Sequence, residues 1–228
     1  MMPATKSCFI TWYGHAAFRV EAAGISFLFD PFIQGNPKCP LALNQVPPAD
    51  VVLVSHGHAD HLGDAIELAS RWDALLVSNV EIAEYCHSRG VPRTLGLQPG
   101  GSAPAESARV RCVAAIHGSP LPGGRYGGLA VGFVVEAGGI RLYHAGDTAL
   151  TQDMAQLAHL GIHAAMLPCG DRFTMADVYL GSQVDWGLTF GSIPPRPALV
   201  AYAERLQARP AWRAAKAIDH ALIEEASK

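Results

Sequence analysis

The alternation of apolar and polar positions changes character three times along the chain. Near the start, Phe9-Ile10-Thr11-Trp12-Tyr13, Phe18-Arg19-Val20-Glu21 and Ile25-Ser26-Phe27-Leu28-Phe29 predict three short strands, closed by Asp30-Pro31. A loop rich in Pro and Asn over 32–50 separates them from Val51-Val52-Leu53-Val54, too short for a helix and apolar throughout, as a strand buried on both faces should be. Leu62, Ala65, Ile66, Ala69 and Trp72 then keep helical spacing. Leu75-Leu76-Val77 returns to strand, and Val80 to Arg89 suits a second helix ended at Gly90. Strand, helix, strand, helix implies a mixed α/β arrangement with crossovers.

From Arg109 the pattern is β again. Val110 to Ala115 precedes His117, and Ala130 to Glu136 turns through Ala137-Gly138-Gly139 into Ile140-Arg141-Leu142-Tyr143. Gln152 to His159 is expected as helix and Ala164 to Leu167 as a buried strand. After Thr174 no segment reads as a strand. Thr174-Met175-Ala176-Asp177 has the form of a capping box, with Asp where Glu or Gln is usual. Leu199, Tyr202, Ala203 and Leu206 form one amphipathic stripe. Trp212, Ala215, Ile218 and Leu222 form another behind Pro210. The pattern therefore divides into an α/β part and an all-helical tail, and the tail stripes suit a subunit interface.

Composition changes the picture mainly by exclusion. The 228 residues are 50% hydrophobic with a formal net charge of −3, enough for one layered core and without the basic face that nucleic acid or an anionic membrane requires. No apolar run is long enough to span a bilayer, and Met1 to Ser7 lead into the first strand without an apolar leader core. Cys8, Cys39, Cys86, Cys112 and Cys169 are odd in number and form no CxxC pair, which points to free thiols in a reducing cytoplasm.

The chemistry concentrates in His56-Gly57-His58-Ala59-Asp60-His61, directly behind the buried strand. A strand end fixes the backbone, and a short turn lets several side chains converge. His56 and His58 can aim at one metal ion while Asp60 and His61 reach a second. Three histidines and an aspartate in six residues are a poor way to build a surface loop. His87, His159, His163 and His220 have no spacing relation to this cluster and read as surface or core residues.

HxHxDH after an apolar strand resembles the signature of the metallo-β-lactamase superfamily. Tyr13-Gly14-His15-Ala16-Ala17-Phe18, Asp30-Pro31-Phe32, Ser55 to Asp64, Tyr143 to Thr148 and Pro168 to Met175 extend the resemblance over residues 8 to about 175. They are similar to metal-dependent hydrolases of the ascorbate-6-phosphate lactonase kind. The resemblance implies an αββα sandwich over residues 1–173 and two divalent cations, with zinc the first expectation and manganese or iron the alternatives. His56, His58 and His117 would hold one ion, Asp60 and His61 would belong to the second, and Asp147 would bridge them. Asp60 would also orient the nucleophile and carry its proton. His15, Asp30 and His144 would surround these ligands or touch substrate. The implied activity is hydrolysis of an ester, lactone, amide or phosphodiester in a small molecule.

The family's last strand, which ends in a further histidine in an Ile-Pro-x-His-Tyr context, has no counterpart here. Residues 173–228 instead resemble the helical end of a glutathione S-transferase, with Thr174 and Asp177 in its helix-capping box, so residues 174–228 are expected as a separate helical tail of a chimeric chain. Two alternatives to an active hydrolase follow: a metal-binding protein impaired by the missing histidine, or a protein related to glutathione transferases. The second lacks any thioredoxin-like segment.

Overall fold

The computed structural model describes residues 7–168, 184, 187–189, 191, 194–195, 197–210, 212–214 and 217. The chain divides into two compact units, 1–168 and 169–228. The capping box at Thr174 and Asp177, Cys169, His220 and the stripe residues Ala215, Ile218 and Leu222 lie outside the described residues. In the second unit the predicted stripe falls on the helix Pro197–Gln207, where Ala203 and Leu206 are buried.

The first unit is built on two sheets. One runs in the order β1 (Cys8–Trp12), β2 (Phe18–Ala22), β3 (Ile25–Phe29), β4 (Val51–Leu53), β5 (Leu75–Ser78) and β6 (Thr94–Gly96). Its first three strands are antiparallel neighbours, and β3 to β6 are parallel. The other contains β7 (Ser102–Ala105), β8 (Ala108–Ala114), β11 (Val131–Ala137), β12 (Ile140–His144) and β13 (Ala164–Met166), in the order β13-β12-β11-β8-β7. A small hairpin, β9 (Pro120–Leu121) with β10 (Arg125–Tyr126), stands apart.

Strand periodicity explains the layers. Alternate residues of β4 face opposite ways. Val51 and Leu53 join Phe27, Phe29 and Val77 against Val110, Cys112, Phe133, Val135 and Leu142 of the other sheet, forming the inner core. Val52 and Val54 face outward, where α2 (Ala65–Trp72) and α3 (Val80–Ser88) cover them with Ala65, Ala69, Ile82 and Cys86. On the far side Val134 and Tyr143 meet Leu157 and Leu160, from α4 (Met154–Leu157) and the turn after it. Helices outside two facing sheets are the predicted α/β sandwich. No helix among the described residues is long and apolar enough to cross a membrane.

Several elements differ from the sequence expectation. The helix expected from Leu62 to Trp72 is two, α1 (Ala59–Leu62) and α2, broken at Gly63 with φ +40°. A Cβ there would lie 2.5 Å from the Pro31 carbonyl oxygen, so the break seats the 30–33 loop against the helix start. The helix expected over 152–159 is one α turn followed by a 3₁₀ turn at Ala158–Leu160. Strands β6 and β7 were not anticipated. β7 contains Pro104, which is tolerated because β7 is the sheet edge and needs no second ladder.

Candidate metal centre

All the singled-out side chains come from segments that follow strand ends. His15 follows β1, Asp30 follows β3, Ser55 to His61 follow β4, His117 follows β8, and His144 to Asp147 end β12. The β4 segment is held from both sheets. The Ser55 amide donates to Asp30 Oδ1 at 2.7 Å, and the Val131 amide donates to the Ser55 carbonyl at 2.9 Å. Gly57 donates to Ser119 Oγ at 3.2 Å, and a Cβ on it would stand 2.6 Å from the Pro120 carbonyl oxygen. The spacing between His56 and His58 thus depends on a residue without a side chain.

Three overlapping groups of donors result: His56, His58 and His117; His15, Asp60 and His61; and His56, His61 and Asp147. Within each group the donor atoms all lie within 4.8 Å of one another. His56 Nε2 and His58 Nδ1 are 2.9 Å apart. Asp147 Oδ2 is 3.5 Å from His61 Nε2 and 3.7 Å from His117 Nε2, so it stands between the first two groups. His15 Nε2 is 3.4 Å from Asp60 Oδ2.

Hydrogen bonds behind the cluster decide which ring nitrogens face it. The Ser55 hydroxyl donates its one proton to Asp30 Oδ2 at 2.7 Å, so toward His56 Nδ1, 2.9 Å away, it can only accept. His56 therefore carries its proton on Nδ1 and presents a bare Nε2. His61 Nδ1 donates to the same Asp30 Oδ2 at 2.8 Å, which turns its Nε2 to the cluster as well. Asp30 is fully buried and orients both rings through three contacts instead of facing a substrate. His144, also buried, donates from Nε2 to the Ala16 carbonyl at 3.0 Å, and its Nδ1 accepts the Gly146 amide at 3.2 Å. It anchors the turn that carries Asp147. Among the residues not singled out from sequence, Ser55 is the one this network depends on. A serine between a buried strand and the first histidine was its only signal.

The charges follow from the same contacts. Burial pushes the His56 pKa down to about 3, with the charge on His61 adding to it, so His56 stays neutral. Burial acts the same way on His61, but Asp30 and then Asp147 outweigh it and raise the pKa to about 10. Burial would raise Asp30, yet His61, His144 and Ser55 hold it below the ordinary carboxylate range. Asp147 is likewise held low, chiefly by His61. His117 is lowered, mainly by burial.

These residues fit divalent cations. His61 Nε2 is buried without a hydrogen-bond partner, which costs on the order of 1–3 kcal/mol unless something occupies that direction. Two donors sharing one tetrahedral ion at about 2.0–2.1 Å stand about 3.3–3.5 Å apart. The separations around His61 and Asp60, 3.5 and 3.4 Å, are of that size and too long for good hydrogen bonds.

The comparisons with known proteins agree with this chemistry. The model of the beta-lactamase superfamily domain matches residues 26–212. A UPF0173 metal-dependent hydrolase of Methanopyrus kandleri is 42% identical over 197 residues, covering 82% of this chain and 85% of that protein. One from Thermus thermophilus is 40% identical over 166 residues, with 73% of each chain covered. Among solved structures, Igni18, a metallo hydrolase from Ignicoccus hospitalis, superposes with a TM-score of 0.68 at 30% identity, over 78% of both chains. The superfamily match continues to residue 212, across the junction expected near 173–176, and none of these proteins is a lactonase or a glutathione transferase by name.

Proposed function

For a chain that belongs to the UPF0173 metal-dependent hydrolases of the beta-lactamase superfamily, we propose a two-cation site that hydrolyses an ester, lactone, amide or phosphodiester of a small molecule. The observation that carries this reading is Asp147, which lies between the His56, His58, His117 group and the His61 side of the cluster. An anionic oxygen there offsets the repulsion between two cations. His56, His58 and His117 would hold one ion, Asp60 and His61 would serve the second, and Asp147 would be shared. Zinc suits the histidine-rich group, and the mixed donors also admit manganese or iron.

When bound, such ions supply Lewis acidity and bring the pKa of water from 15.7 to about 7. The chain's own residues do the rest. Ser55 and Asp30 keep Nε2 of His56 and of His61 turned inward, and His61 would give up, on binding a cation, the Nε2 proton that its metal-free ring holds. Asp60, half exposed, has a free carboxylate edge to orient water and hold a proton during leaving-group departure. The cluster opens to solvent on the side of His117 and His15, as substrate entry requires. Net charge −3 favours a small molecule over nucleic acid. Cys8, Cys39, Cys86 and Cys112 are free thiols, in keeping with a reducing cytoplasm.

The test is metal content by mass spectrometry with a hydrolysis screen of lactones, esters, amides and phosphodiesters, on the wild type and His58→Ala. Two ions per chain and a turnover that His58→Ala abolishes are expected. Turnover that survives in His58→Ala would sink the assignment. The alternative reading is a protein that binds metal without turnover. Two bound ions with no hydrolysis of any class would select it.

A further inference from the structure

We propose that His15, presented by the β1–β2 turn, is a direct ligand of the second cation. This rests on the two-cation reading above and adds a donor to it. His15, Asp60 and His61 place one donor atom each within 4.8 Å of one another. Asp147 Oδ2, 3.5 Å from His61 Nε2, belongs to the neighbouring set with His56 and His61, so His15 is the third protein donor on the Asp60 side of the cluster.

The contact between His15 and Asp60 is not a good ion pair. Charge-assisted N–O bonds shorten to about 2.7–2.9 Å. The observed 3.4 Å is of the size two donors on one tetrahedral ion would have. Nor does His15 act as an outer partner of His61. The two rings meet edge to face with centroids 4.9 Å apart, and the His61 Nδ1 proton is already given to Asp30. The His15 ring also stands edge-on to Phe32 at 6.0 Å, which limits its swing.

The backbone beneath His15 is held in an unfavourable shape. His15 has φ +51°, in the left-handed region, and follows Gly14 at φ +93°. A Cβ on Gly14 would lie 2.5 Å from Lys38 Cβ, so the turn is pressed against the 36–38 loop. Trp12 Nε1 donates to the His15 carbonyl at 2.8 Å, and the Tyr13 amide donates to the Ala17 carbonyl at 2.8 Å. Ala23, Asp73 and Glu106 share this left-handed conformation, so the turn fixes where the His15 ring stands while the donor grouping with Asp60 and His61 carries the assignment.

The experiment is a cobalt(II) titration of metal-free wild type and His15→Asn, read by metal-to-protein ratio and visible absorption. Asn accepts the left-handed conformation but cannot reach the ion. The wild type should bind two ions. The variant should keep the first unchanged and bind the second more than about a hundredfold more weakly, beyond the 10–100-fold that losing an outer partner costs. Two ions with wild-type affinity and spectrum in His15→Asn would overturn the assignment while leaving the two-cation reading intact. A wild type that binds fewer than two would overturn both. Side-chain ¹⁵N shifts of the wild-type histidines, followed through a zinc titration, read the same point without a variant. His15 should move with the second equivalent, and a His15 signal that never moves would overturn the proposal.

Discussion

At the scale of single residues, one buried carboxylate governs the site. Asp30 accepts the Ser55 amide, the Ser55 hydroxyl and the His61 ring, and so fixes two histidine tautomers at once. The linkage signs are opposite for its two charged members. In the metal-free protein the His61 pKa is raised from 6.5 to about 10, so its contribution to stability is complete below 6.5 and is lost as pH climbs through 10. Asp30 is lowered from 3.8, so its contribution is present above 3.8 and is lost as pH falls further. Asp30→Asn should cost about 3–5 kcal/mol near neutral pH, because it leaves His61 without its counter-charge. Urea unfolding of the metal-free proteins across pH would show this, with the gap between wild type and variant closing at both extremes. A gap independent of pH would mean that Asp30 contributes by packing alone. Spacing behind a buried strand pointed to His56, His58, Asp60 and His61, whereas His117 and Asp147 entered through the resemblance to the metallo-β-lactamase superfamily. Whether Asp30 held a ligand or touched substrate was not visible, since burial depends on the partner sheet.

At the scale of elements, the site depends on turns too tight for a Cβ. Gly146 has φ +59°, and a Cβ there would come within 2.6 Å of Ser55 Cβ and 3.1 Å of the Val131 carbonyl oxygen. It is where the β12 turn closes on the β4 turn, and Asp147 follows it. Gly146→Ala is expected to lower stability by about 2 kcal/mol from strain and overlap. It should also weaken metal binding by moving Asp147. Thermal unfolding with and without metal separates the two effects, and a variant with unaltered metal affinity would show that the Asp147 turn tolerates displacement. Strands with strong periodicity, β2 to β5, β8, β11 and β12, were legible because alternation or continuous apolarity marks them directly. β6 and β7 were not. Thr94-Leu95-Gly96 and Ser102-Ala103-Pro104-Ala105 have weak strand propensity and exist through pairing with β5 and β8. The split between α1 and α2 was hidden for a similar reason, since Gly63 bends toward the Pro31 loop and not within its own helix.

At the scale of the whole first unit, the donors tie the two sheets together. His56, His58, Asp60 and His61 hang from β4 of one sheet, whereas His117 and Asp147 follow β8 and β12 of the other. The inner core between those sheets was readable as a layered α/β pattern, but their meeting at one edge was not, because it depends on long-range contacts such as the bond from Val131 to Ser55. An ion held by His56, His58 and His117 bonds to both sheets, and the unfolded chain cannot hold these three donors together. Metal binding is therefore folding free energy. At a free ion concentration one hundred times the dissociation constant, the stabilisation is about 2.7 kcal/mol. For a chain of this size that raises the unfolding midpoint by about 5–10 °C. Wild-type protein treated with chelator should unfold that much earlier than the metal-loaded form, and returning zinc should restore the difference. His58→Ala should show little of the shift, because it removes a donor from the group that joins the sheets. An equal shift in His58→Ala would mean that the stabilising ion sits elsewhere, and the β4 cluster would no longer be the metal centre.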